Sequence, residues 1–96
     1  MERRYRVVAG RGFDKDLRRI RRRAPRMLEV LREAGALLAD DPYNRRARAD
    51  ISKLVDVRPG EGQFRLRLGD WRLRYDVFGE EVVLHSMRPR SESYRP

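Results

Sequence analysis

Four arginines fall in two pairs with a spacing of two, Arg65 and Arg67 then Arg72 and Arg74, on either side of Gly69-Asp70 in FRLRLGDWRLRYDV. A period of two places them on one face of adjacent antiparallel strands. Like charges opposed across strands repel, and a surface needed only for solubility intersperses acids among them. On this face only Asp76 offers such relief. The pattern suits a phosphate, because a guanidinium fork donates two parallel hydrogen bonds to two phosphate oxygens. The plainer alternative is the solvated face of an arginine-rich chain. Arg88, Arg90 and Tyr94 extend the set when the C-terminal tail folds back over the sheet. Cations around a tyrosine favour its phenolate, and its ring can stack on an unpaired base; packing on the sheet edge is its plainer role.

His85 is the one side chain whose ordinary pKa lies near neutrality. Simple alternation groups it with Val83 and Met87, opposite in parity to Arg88. It is therefore expected at a semi-buried or edge position rather than in the chemistry. Trp71 and Tyr75 share parity with Leu73 and Val77 and are expected in the core. The run Arg18, Arg19, Arg21, Arg22 and Arg23 reads most simply as the wet side of a helix. Contact with a large RNA or an acidic protein is its alternative reading.

The elements that must hold these groups follow from the hydrophobic pattern. Residues 3–9 alternate as a short strand, and Gly10 and Gly12 mark the turn after it. Phe13, Leu17 and Ile20 fall at i, i+4 and i+7, one apolar stripe of a helix over 13–23. Pro25 suits the first turn of a second helix running to about residue 39, with Leu28, Leu31, Ala34 and Leu38 on its apolar face. Asp40, Asp41 and Pro42 end it. Residues 40–62 form a long connection carrying Asn44, Arg45, Arg46 and Arg48, long enough to be a working loop; residues 50–55 within it suit a turn of helix or a short strand. Residues 63–87 read as three strands with tight turns at Gly69-Asp70 and Gly79-Glu80. The expected fold is α+β: an N-terminal strand, a two-helix antiparallel hairpin, then a three-stranded antiparallel meander. The helices pack on one sheet face and leave the arginine face open, with the tail closing over one end.

Bulk properties narrow the function class. Ninety-six residues suit a single domain over 1–96, burying about two thirds of its unfolded surface. There is no cysteine and one histidine, so neither a disulfide nor a metal centre is expected, and the chain is compatible with a reducing cytoplasm. No apolar run approaches membrane-spanning length, and the N-terminus lacks the apolar segment of a signal peptide. Twenty-four basic residues oppose 15 acidic ones, for a net charge of +9. A domain this basic usually meets a polyanion. Arginine-favouring codon usage explains part of the excess, but not where the arginines sit.

In this order, the pieces resemble the RelE/ParE superfamily of bacterial and archaeal toxins, over nearly the whole length. YRVVAGRGFDKDLRRI looks like the family's first strand and helix, LADDP like the end of its second helix, and Lys53-Leu54 like its following pair. FRLRLGDWRLRYDV is similar to the central hairpin and MRPRSESYR to the arginine-rich tail with its late tyrosine. The resemblance to RelE-like members implies cleavage of messenger RNA in the ribosomal A site by attack of a 2′-hydroxyl on its own 3′-phosphate. It implies catalytic roles for Arg65, Arg67, Arg72, Arg88 and Tyr94, and RNA contacts from Lys53, Arg74 and Arg90. It implies no cofactor and no metal. The implied partners are a cognate antitoxin, the ribosome with its mRNA, and operator DNA reached only through the antitoxin. ParE-like members imply the alternative, inhibition of DNA gyrase without RNA cleavage. The chain departs from the RelE pattern in two places. It has arginines where lysines often stand on the first hairpin strand, and Met87 in place of a histidine before Arg88. Arginine cannot serve as a general base near neutral pH, so proton transfer falls to Tyr94, to Lys53 or His85, or to the ribosome.

Overall fold

A computed structural model describes residues 5–93. Along the chain run β1 (Arg6–Ala9), α1 (Phe13–Arg23), α2 (Met27–Asp40), β2 (Ile51–Lys53), β3 (Phe64–Leu68), β4 (Trp71–Phe78), β5 (Glu81–Pro89) and α3 (Arg90–Ser93). The expected α+β order holds. The predicted meander, β3 to β5, forms the middle of a five-stranded mixed sheet ordered β1-β5-β4-β3-β2. β1 lies parallel to β5, pairing Val7 with Val82 and Ala9 with Leu84. β2 adds antiparallel to β3, pairing Ser52 with Arg65. Neither edge pairing leaves a mark in a period-two pattern, because both partners are remote in sequence.

One face of the sheet carries the core. Phe64, Leu66, Leu73, Tyr75, Val82, Leu84 and Met87 meet Phe13 and Ile20 of α1 and Leu31, Ala34 and Leu38 of α2. Each fully buried aliphatic side chain here contributes roughly 1.5–3 kcal/mol. Tyr75 is wholly buried, and its hydroxyl donates to the Pro42 carbonyl at 2.6 Å, tying β4 to the end of α2. Trp71 packs against the same core from a half-buried position. Gly10 is needed where the chain leaves β1, since a Cβ there would stand 2.8 Å from the Leu84 carbonyl oxygen.

The long connection is largely occupied in holding itself together. The Asp41 carboxylate accepts the Arg45 and Arg46 amides at 2.9 and 3.0 Å. Those bonds, Arg46 first, hold its carboxyl below the ordinary value against the opposing effect of burial. Asp40 pairs with Arg46 and Arg48. Asn44 accepts from and donates to the Ala49 backbone. The basic cluster expected on a working loop thus closes the end of α2. No helix among the described residues is long and apolar enough to cross a membrane.

Candidate phosphate-binding site

The site is built on the sheet face away from the core. Register aligns Arg67, Arg72 and Arg88 across β3, β4 and β5 in one rung. The next rung aligns Arg65, Arg74 and Ser86. Five arginines therefore share a face over three adjacent strands, and what each guanidinium touches separates them.

Arg74 is locked. Its Nε donates to the Gly62 carbonyl at 3.0 Å and its terminal nitrogen to the Glu61 carbonyl at 2.7 Å. Beside it Asp76, 1 % exposed, accepts the Gly62 and Gln63 amides at 2.9 and 3.1 Å. The segment before β3 is thereby pinned across this rung. Gly62 has φ +80°, and a Cβ there would lie 2.9 Å from Cβ of Arg74 and 3.3 Å from Cβ of His85. The arginine face is thus covered at this rung, while at the other Arg67 and Arg88 are exposed and Arg72 is buried, a correction to the expectation of an open face throughout. Asp76 makes no ion pair with an arginine among the described residues; its carboxylate accepts the two backbone amides beside Arg74.

Arg72 is the unusual member. It is only 3 % exposed. One terminal nitrogen donates to the Gly69 and Trp71 carbonyls at 2.8 and 2.9 Å, which supply dipoles but no formal negative charge. Its Nε is buried with no hydrogen-bond partner, as is that of Arg65, and no carboxylate pairs with Arg72 among the described residues. A buried charge without a counter-ion is unfavourable by several kcal/mol, on the order of the desolvation penalty. An anion entering here would recover that penalty. At the rim, Arg67 lies 3.5 Å from the Asp50 carboxylate, and Arg88 lies 3.7 Å from that of Asp16, with its own side chain half exposed.

Asp16 explains how Arg88 is held. β1 accompanies β5 only as far as Leu84, leaving the outer edge of β5 without a strand beyond that point. α1 fills the gap: buried Asp16 accepts the Met87 amide at 2.8 Å. The same carboxylate oxygen faces the Arg88 guanidinium.

His85 is the residue that simple alternation misplaces. Arg74 stands opposite Ser86, whereas Tyr75 stands opposite Leu84, so His85 is the extra residue of a β-bulge. The bulge reverses parity. Val82, Leu84 and Met87 all enter the core, while His85 comes to lie beside Arg74 and Gly62. The expectation that grouped His85 with Met87 is overturned for this reason. The signal was present in the apolar spacing, which steps by two from Val82 to Leu84 and then by three to Met87. The imidazole Nδ1 lies 3.2 Å from Oγ of Ser86. Partial burial, and then the charge of Arg74, lower its pKa against the opposing pull of Asp76, with smaller contributions from Arg88, which lowers it, and Asp16, which raises it. The surroundings of His85 thus favour its neutral imidazole.

Other expected residues fall differently. Lys53 pairs with inward-facing Phe64, and its ammonium sits 5.8 Å from that ring; it belongs to the core-side edge and not to the arginine face. Arg90 opens α3, and its amide donates to the Asp70 carbonyl at 2.6 Å. Tyr94 lies outside the described residues.

Residues 7–94 match the family described as ParE toxin of the type II toxin–antitoxin system, parDE. The chain belongs to the RelE/ParE superfamily of toxins. The fold is shared with two solved archaeal proteins. A chain of the archaeal RelE–RelB complex from Pyrococcus horikoshii OT3 superposes with a TM-score of 0.68 at 23 % identity, over 91 % of this chain and 96 % of that one. The RelB–RelE antitoxin–toxin complex from Methanococcus jannaschii gives 0.55 at 22 % identity, over 92 % and 95 %. No curated protein sequence matches the chain. The sheet of this RelE/ParE toxin presents Arg65, Arg67, Arg72 and Arg88 on one face, with His85 added beside Arg74 by the bulge.

Proposed function

We propose that this toxin is a ribosome-dependent endoribonuclease that stops translation by cutting messenger RNA. The observation that carries the proposal is the Arg67–Arg72–Arg88 rung, with a buried Arg72 that no carboxylate neutralises and a neutral imidazole on the same face. The scissile phosphate occupies the rung. His85 accepts the proton of the 2′-hydroxyl as its oxygen bonds to phosphorus. The bond from phosphorus to the 5′-oxygen breaks, that oxygen takes a proton from solvent or from Tyr94, and a cyclic phosphate and a 5′-hydroxyl end result. Charge accumulating on the phosphoryl oxygens is met by fixed guanidinium groups, each well-placed donor lowering the barrier by about 3 kcal/mol. The ribosome contributes alignment of the attacking and leaving oxygens. The requirement for a 2′-hydroxyl restricts the reaction to RNA.

The toxin's partner is an antitoxin, as in the RelE–RelB complexes that share its fold. A disordered acidic segment suits a surface of net charge +9 and folds on binding. Operator DNA is reached through that antitoxin. The match to the ParE toxin family favours a second reading, inhibition of DNA gyrase without RNA cleavage. Mapping RNA 5′ ends after induction without antitoxin separates the two. New 5′-hydroxyl ends inside codons, appearing as translation halts, are the expected result. DNA-damage signalling that precedes any change in the RNA ends would replace the nuclease with the gyrase inhibitor.

A further inference from the structure

Asp16 carries a charge that the fold alone does not require. The first turn of a helix favours an acid, and α1 has two there, Asp14 and Asp16. Asp14 stays exposed. Asp16 is turned inward and is 4 % exposed, which is unfavourable for a carboxylate unless its partners compensate. Its Oδ2 accepts one backbone amide, that of Met87 at 2.8 Å. A neutral acceptor would satisfy that amide without the desolvation of a full charge. What the charge adds is an attraction for Arg88, whose Nε stands 3.7 Å from the same oxygen.

Both contacts act where the sheet is weakest at its edge. The Gly10 amide still donates to the Leu84 carbonyl, and beyond that point no strand accompanies β5 on this side. Met87 enters the core, so fixing its amide turns Arg88, the next residue, to the opposite face. The carboxylate then meets the guanidinium at Nε and leaves both terminal nitrogens for an incoming anion. A free arginine loses rotamer freedom when it grips a phosphate; a carboxylate beside it removes part of that loss beforehand. With the Arg88 side chain half exposed, solvent screens the pair, so the contact restrains the cation more than it neutralises it.

We propose that Asp16 is a positioning residue for Arg88, holding the end of β5 and aiming the guanidinium at the phosphate on the rung. The inference rests on the proposed cleavage reaction for what Arg88 then does. Asp16→Asn in the full-length chain is the test, because it keeps a carbonyl oxygen for the Met87 amide and removes the charge beside Arg88. The melt and the slow hydrogen exchange of the Met87 amide should match the parent, while nitrogen relaxation of the Arg88 Nε–H group shows a more mobile side chain. Single-turnover cleavage of ribosome-bound mRNA should fall roughly 10–100-fold. Affinity for ribosomes carrying a 2′-deoxy-substituted mRNA that cannot be cut should hold or tighten, because the carboxylate also repels the incoming phosphate. In an Arg88→Gln background Asp16→Asn should lower cleavage no further. An Arg88 side chain as ordered in the variant as in the parent, rate and affinity falling together, or a full further loss in the Arg88→Gln background overturns the proposal. If the parent leaves no new 5′-hydroxyl ends, the nuclease reading fails, and the mobility of Arg88 by itself decides whether Asp16 positions it.

Discussion

Arg72 and Arg74 stand two residues apart on one strand and one face, yet their surroundings give them opposite tasks. Arg74 spends its donors on the Glu61 and Gly62 carbonyls and so fixes a segment of chain. Arg72 is more deeply buried, but its Nε has no partner and the carbonyls it reaches leave its charge unopposed. The difference lies in the turns. Gly62, at positive φ, lets the segment before β3 fold over one rung, while the Gly69-Asp70 turn reaches only the edge of the other. A side chain's chemistry is thus set less by its type than by which backbone carbonyls lie within reach and whether the positive charge still lacks an anion.

The sharpest way to break the comparison is to exchange the outcomes. Arg72→Ala should lower single-turnover cleavage of ribosome-bound mRNA by about 10²–10³, the usual loss for one preorganised donor to a developing anion. Its melting temperature should stay near that of the parent, because removing a buried and unopposed cation also removes its desolvation penalty. A variant that melts many degrees lower while cleaving normally would show that Arg72 is a strut like Arg74. The covered rung should behave in the opposite way. Asp76→Ala leaves the Gly62 and Gln63 amides without acceptors, at about 1–3 kcal/mol for each group that water cannot reach. Denaturant unfolding should therefore show a loss of roughly 2–6 kcal/mol. Cleavage below the new melting point should change only a few-fold, and a loss as large as that for Arg72→Ala would place Asp76 in the reaction.

Much of the frame was legible because it rests on local periodicity. The stripe of Phe13, Leu17 and Ile20, the two glycine turns and the alternation through β3 and β4 each followed from spacing over a few residues. So did the shared face of Arg65, Arg67, Arg72 and Arg74. Long-range pairing was not legible. Nothing near Val7 marks Val82 as its parallel partner, and Ile51–Lys53 is too short to show a period. Coverage of the arginine face was hidden for the same reason, since it depends on Asp76 reaching amides 13 and 14 residues away. His85 is an intermediate case. The step of three between Leu84 and Met87 was visible as a break in period, and treating it as a bulge places the imidazole among the arginines.

The same bulge allows the subtlest test of the two rungs, through the pH at which cleavage switches on. His85 lies at the covered rung, with Arg74 and Asp76 acting on it from β4, Arg88 along β5 and Asp16 from α1. Burial is the largest influence and favours the neutral ring, and the Arg74 charge acts in the same direction. The folded-state pKa is therefore below 6.5. A base must be unprotonated to act, so the cleavage rate should climb about tenfold per pH unit on the acid side, with its half-maximum below pH 6.5. Folding stability shares that sign: the unfolded chain binds the proton more readily, so the neutral ring's advantage is lost as pH falls from 6.5 through the lower folded value. Arg74→Gln keeps an amide donor for the Gly62 carbonyl while removing the charge, and should move the acid limb upward toward 6.5. A limb that does not move when Arg74 is neutralised, or a rate flat across this range in the parent, would assign the proton transfer to a group other than His85.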